Sequence, residues 1–100
     1  MPAYLIARVD LRDPSYIDEY RSKTGPLIEK HGGRNLAAAV RGADSLESLE
    51  GDAPLPTAMF IIEFPSMENA RAFYSDPAYA PMIALRQSGA DSDIALVNGL

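Results

Sequence analysis

With no cysteine in the chain, its chemistry rests on one histidine, five tyrosines, and its arginines and carboxylates. His31 is the residue that ordinarily titrates near neutrality, so it is a candidate base or ligand-orienting group. The same imidazole in the last turn of a helix would simply complement the helix dipole, and that plainer role is favoured. Glu63 precedes Phe64-Pro65 in a strongly apolar segment. A carboxylate sheltered there needs a partner or loses its charge. Arg8 is the expected partner, making a cross-strand pair at an interface; proton transfer by Glu63 is the alternative. Tyr20, Tyr74 and Tyr79 could converge as hydrogen-bonding phenols around a small ligand, although phenols at a core boundary more often only pack. Arg34 and Arg86 could add an anion-binding charge, or could be surface charges with buried stems. Pro2 would serve as an N-terminal amine base only after removal of Met1, and a strand start explains it adequately.

The elements that must position these groups follow from periodicity. Residues 3–11, AYLIARVDL, alternate as a strand, with Leu5, Ala7, Val9 and Leu11 on one face and Tyr4, Ile6, Arg8 and Asp10 on the other. Asp13-Pro14 begins a helix as N-cap and first-turn proline. Tyr16, Ile17, Tyr20, Thr24, Leu27, Ile28 and His31 recur at helical spacing opposite a charged face. Gly25-Pro26 is expected to kink this helix, and Gly32-Gly33 to end it through a left-handed cap.

A second strand is expected at 34–41, and a short edge strand or hairpin arm at 45–51 after a turn at Gly42-Ala43-Asp44. DAPLPT is a loop, and AMFIIEF (58–64) is the strongest strand. Ser66 caps a helix bearing Met67, Ala70, Phe73 and Tyr74. A further helix from Asp76-Pro77 carries Tyr79, Met82, Ile83 and Arg86, and DIALVN (93–98) is the last strand.

The order βαββαβ predicts an α+β, ferredoxin-like antiparallel sheet with helices on one face, in a single domain of 100 residues. Both faces of the strands carry apolar side chains, and helices cover only one. A second copy packed sheet against sheet would cover the other, so a homodimer is expected.

Composition removes several function classes. The formal charge of −5 is unsuited to tracking nucleic-acid phosphates, and no apolar run reaches membrane-spanning length. Neither nucleic acid nor membrane is an expected partner, and the cytoplasm is the expected compartment. Without cysteine or a second histidine there is no thiolate, no cysteine-rich zinc site and no histidine pair for a metal. No nucleotide-cradling glycine motif occurs. No cofactor or metal is expected, and haem would have a single histidine to bind it.

The series MPAYLIARV, DPSYIDEY, KHGGR, LEGD, IEFPS and YSDPAYAPMIALRQSGADSDIALVNG resembles the DUF1330 family of the dimeric α+β barrel superfamily. The resemblance spans nearly the whole chain. One departure is Ala53 after LEGD, where the family often carries an aromatic. The resemblance implies a homodimer of ferredoxin-like chains. Its superfamily includes cofactor-independent monooxygenases, lactone isomerases and haem-degrading enzymes, while the family has no established reaction.

Two functions therefore stand side by side. One is a small-molecule pocket between helices and sheet, oxygenase- or isomerase-like, in which Tyr20, Tyr74, Tyr79, Arg34 and Arg86 hold the ligand and His31 or Glu63 moves a proton. The other is a non-catalytic dimeric binding or structural module.

Overall fold

The computed structural model describes residues 1–100. Four strands, β1 (Ala3–Leu11), β2 (Arg34–Val40), β3 (Ala58–Phe64) and β4 (Ala90–Asn98), form one sheet in the order β2-β3-β1-β4. Every neighbouring pair is antiparallel. Three α-helices, α1 (Ile17–Lys30), α2 (Met67–Tyr74) and α3 (Ala80–Gly89), complete the α+β architecture.

The alternation of β1 decides which face is covered. Ala3, Leu5, Ala7 and Val9 are buried together with Ile28, Phe64, Ala70, Phe73, Tyr79 and Met82 from the neighbouring elements. The register places Tyr4 opposite Glu63, Ile6 opposite Ile61 and Arg8 opposite Met59, so these share the other face. No helix covers that second face. The central strands β1 and β3 read as near-continuous apolar runs for this reason.

The helix starts follow their caps. The Asp13 carboxylate accepts from the Ser15 amide at 3.0 Å, and a 3-10 turn over Pro14–Tyr16 leads into α1. Ser66 accepts from the Asn69 amide at 3.1 Å and opens α2. Gly32 ends α1 with φ of +77°, the left-handed geometry that disfavours a side chain. Gly33 is constrained differently: a Cβ there would lie 2.6 Å from the Phe64 ring and 2.8 Å from an Ile28 methyl.

Three expectations are corrected. Gly25-Pro26 does not divide α1, which runs unbroken to Lys30. Proline removes one backbone donor, and both Pro26 and Ser22, whose carbonyl loses it, are exposed to water. Residues 45–51 form no strand; β2 and β3 pair directly, with Val40 opposite Ala58. SLESLEG has too little apolar surface to bury, and Leu49 stands 90% exposed. The loop is tied down instead by the Arg41 side chain donating to the Leu55 carbonyl at 2.8 Å and by the Leu11 amide donating to Thr57 Oγ1 at 3.1 Å. Finally, β4 begins at Ala90, directly from α3, so Ser92 belongs to a strand.

Candidate functional site

Tyr79 and Arg86 stand seven residues apart, two helical turns, and therefore point the same way from the start and the end of α3. Tyr20 reaches them from α1. The Tyr20 and Tyr79 hydroxyl oxygens are 2.7 Å apart, and Arg86 Nη1 donates to Tyr79 Oη at 3.0 Å, with Tyr20 Oη at 3.5 Å. Tyr79 and Arg86 are 2% and 5% exposed. Burial, then the neighbouring Tyr20, pushes the Tyr79 phenol far above its ordinary pKa, so it stays protonated. Burial opposes the charge on Arg86, but Tyr79 and Tyr20 outweigh it and the guanidinium is held above its usual value.

The result is a buried, charged arginine whose side-chain partners are phenols. None of the ion pairs of the chain involves Arg86, and its Nε has no hydrogen-bond partner. Tyr79→Phe leaves this cation with a still weaker set of partners. The variant is expected to lose about 1–3 kcal/mol of stability. Denaturant unfolding checks this, and an unchanged midpoint would contradict it.

Tyr74 borders the Tyr79–Arg86 cluster from its solvent side. It packs edge-on against Tyr79 with centroids 5.7 Å apart and is 40% exposed. It lines a recess of about 450 Å3 together with Arg86, Gln87, Ser92 and Ile94, and with Ile6, Arg8, Asp93 and Ala95 from the opposite sheet face. The recess wraps around β4 because β4 is an edge strand. A second recess of about 280 Å3 shares Tyr74, Ile94 and Ala95 and continues past Arg71 and Leu96. Together they make a groove along β4, open to solvent. The expected location was the interior between helices and sheet, and there the core is filled by Phe64, Phe73 and Met82.

Gln87 and Ser92 were not among the residues singled out from the sequence. Ser92 had a legible signal. Ala90, Ser92, Ile94 and Leu96 alternate in phase, which extends the last strand back through it.

The remaining candidates lie elsewhere. His31 caps α1 and its Nε2 lies 2.8 Å from Asp76 Oδ2, which also accepts from Lys30 Nζ at 3.0 Å. Asp76 itself is a residue the sequence presents only as a helix start. Its other oxygen accepts from the Ala78 amide at 2.9 Å, forming a turn, and α3 begins four residues later at Ala80. Glu63 pairs with Arg34 on β2, Nε to Oε1 at 2.9 Å, and not with Arg8. The register explains this: Arg34 and Tyr4 flank Glu63, whereas Arg8 lies four residues along β1 and donates to the Pro54 carbonyl at 3.3 Å. Arg34 is thus remote from the Tyr20–Tyr79–Arg86 cluster, on the other face of the sheet.

His31 first, then the Ala78 amide and Lys30, hold the Asp76 carboxyl well below the usual carboxylate range. Its folded form therefore ionises more readily than the unfolded one. The resulting stabilisation is complete above the unfolded value of about pH 4 and is lost as pH falls through the depressed folded value. In Asp76→Asn, melting temperature is expected to be lower at neutral pH and to fall less steeply than wild type below pH 4. Parallel melting curves across pH 2–7 would contradict this.

Chemically, the cluster offers one cation and phenol hydroxyls, a set suited to holding or stabilising negative charge on oxygen. It contains no base: His31 and Glu63 are both engaged away from it. No three histidine, aspartate or glutamate side chains converge to hold a metal.

Among solved structures, RPA0582, a protein of unknown function from Rhodopseudomonas palustris, is 24% identical with a TM-score of 0.76, over 99% of this chain and 82% of that one. SnoaB, a cofactor-independent oxygenase from Streptomyces nogalater, is 12% identical with a TM-score of 0.67, over 99% of this chain and 93% of that one. A dimeric ferredoxin-like protein of unknown function from Thermobifida fusca is 14% identical with a TM-score of 0.65, over 99% and 92%. At these identities the likeness shows the fold, which is ferredoxin-like. No curated protein sequence matches the chain. The family described as "Domain of unknown function (DUF1330)" matches residues 2–100. A match that leaves only Met1 outside it is decisive, and the protein belongs to the DUF1330 family.

Proposed function

We propose that the protein is a homodimer that binds a small organic molecule in the groove beside β4. The observation carrying this reading is a recess of about 450 Å3 bordered by a buried arginine that has no acidic partner. Small-molecule sites combine apolar walls with a few convergent polar groups, and a volume of roughly 300–1,000 Å3 is typical. Ile94 and the Tyr74 ring supply the apolar walls on the helix side of the sheet; Arg86, Gln87 and Ser92 supply the polar groups. In an enzymatic version, oxygenase- or isomerase-like, Arg86 would stabilise an oxyanion developing on the substrate. The cofactor-independent oxygenase SnoaB shares the fold, which keeps that version in view. A second reading, a binding module without catalysis, draws support from the engagement of His31 with Asp76 and of Glu63 with Arg34.

The dimer follows from the uncovered sheet face. Ile6, Met59 and Ile61 cluster there in register, with Tyr4 and the 46%-exposed Val97 beside them. Contiguous apolar surface of this kind marks an association site, and a like-folded protein from Thermobifida fusca is dimeric.

Tyr74→Ala separates ligand binding from folding, because the ring is half-exposed at the groove and lies outside the buried core cluster. Metabolites that bind the wild-type protein are expected to bind the variant about tenfold more weakly, through loss of the aromatic wall. Its melting temperature should move by only a few degrees. Equal affinity for every binder would overturn the groove as the site.

A further inference from the structure

We infer that the ligand of the β4 groove carries a carboxylate on an apolar, aromatic-sized body, with the carboxylate seated between Arg86 and Ser92. The inference rests on the groove being a ligand site and specifies what chemistry it takes.

Arg86 is the first reason. Buried charges in proteins are paired or hydrogen-bonded, because an isolated one is costly. Arg86 is 5% exposed, it belongs to no ion pair, and its Nε–H is unpartnered. Two phenol hydroxyls supply only dipoles, so a charge of opposite sign on the groove side completes the set. Ser92 is the second and independent reason. Its Oγ is also buried without a hydrogen-bond partner, and Ser92 lines the same recess as Arg86. Of the three such atoms in the whole chain, two belong to residues of this one recess.

The surroundings fix the class of anion. Arg86, the buried cation of the recess, balances one negative charge, which fits a carboxylate; Arg8, the other arginine there, is exposed and donates to the Pro54 carbonyl at 3.3 Å. A carboxylate can accept from the Arg86 guanidinium and the Ser92 hydroxyl with its two oxygens. The local balance is favourable although the chain is acidic overall, with a net charge of −5. Arg8 and Arg86 both line the recess against a single acid, Asp93. Asp93 stands opposite Arg8 in the β1–β4 register, on the sheet face away from Ser92 and Ile94. Ile94 and the Tyr74 ring leave room for the rest of the molecule to be apolar.

The test compares 1-naphthoate with its neutral isostere 1-naphthamide on the intact wild-type protein, by calorimetry and by the 15N-resolved Nε–H resonance of Arg86. The acid is expected to bind at least about tenfold more tightly than the amide, since an ion-paired hydrogen bond replaces one from the same cation to a neutral carbonyl. The Arg86 Nε–H resonance should move on adding the acid and stay in place with the amide. In Arg86→Gln the preference should vanish while the affinity for the amide is kept. If that variant does not fold, the wild-type Nε–H resonance decides alone. Equal affinities with a motionless resonance would overturn the carboxylate and leave the groove standing. Failure of the acid to bind at millimolar concentration would also overturn it, and the metabolite test of Tyr74→Ala would then judge the groove separately.

Discussion

Ile61→Asp is expected to turn the proposed homodimer into a folded monomer, with the dissociation constant raised by about a thousandfold or more. Ile61 lies at the middle of the uncovered sheet face, between Ile6 on β1 and Ala37 on β2. In a two-fold dimer packed sheet against sheet, both copies of the substitution would enter the interface together. Each carboxylate would be desolvated among apolar neighbours, because of the two arginines on that face Arg34 is bound to Glu63 at 2.9 Å and Arg8 donates to the Pro54 carbonyl at 3.3 Å. Stranding one unpaired charge costs about 3–5 kcal/mol, which is a factor of hundreds to thousands in an equilibrium constant. The helix-covered face is untouched, so the monomer should keep its secondary structure. Sedimentation velocity at micromolar concentration reads the outcome. A wild-type chain that sediments as a monomer, or a variant that stays dimeric, would contradict sheet-to-sheet association.

Phe73→Ala should be the most destabilising single truncation, at about 3–5 kcal/mol. The ring is 1% exposed and lies at the junction of the core and the phenol cluster. Its centroid is 4.5 Å from that of Tyr79 and 5.3 Å from that of Phe64, and His31 meets it edge-on at 6.3 Å. Removing it leaves a cavity that the rigid sheet below cannot collapse to fill. A domain of this size has only about 5–15 kcal/mol in total, so the loss is a large fraction of it. Urea unfolding at one fixed protein concentration is the appropriate measurement, since a dimer gains stability by mass action. The midpoint should fall with the slope unchanged. Phe73→Leu keeps most of the volume and should cost less than about 1.5 kcal/mol. A loss below 1 kcal/mol for the alanine variant would show that the ring is not central to the core.

The sheet was legible because its strands announce both of their faces. Ile6 and Ile61 alternate with Leu5 and Ile62, and such double-sided strands demand cover on two sides. The caps at Asp13 and Ser66 were equally local and equally readable. What could not be read were pairings that depend on exact register across long sequence separations. Arg34 reaches Glu63 because a bulge between Asn35 and Ala37 shifts β2 against β3, and nothing in the local pattern announces that shift. Asp76 looked like a helix cap because Asp-Pro is a common start, yet its second oxygen is used 45 residues away by His31. The tyrosine spacing correctly suggested that Tyr79 and Tyr20 meet. Whether a recess lies in front of them depends on which strand ends up at the sheet edge, a property of the whole topology. The hydroxyl of Tyr79 turned inward, and Tyr74 turned out to be the ring at the groove.

The most direct measurement is amide chemical-shift mapping of the wild-type protein against a library of small metabolites. A ligand-binding groove along β4 predicts that binders perturb Tyr74, Gln87, Ser92 and Ile94 together, with Glu63 and Arg34 unmoved. A library without binders, or binders whose shifts gather away from β4, would contradict it.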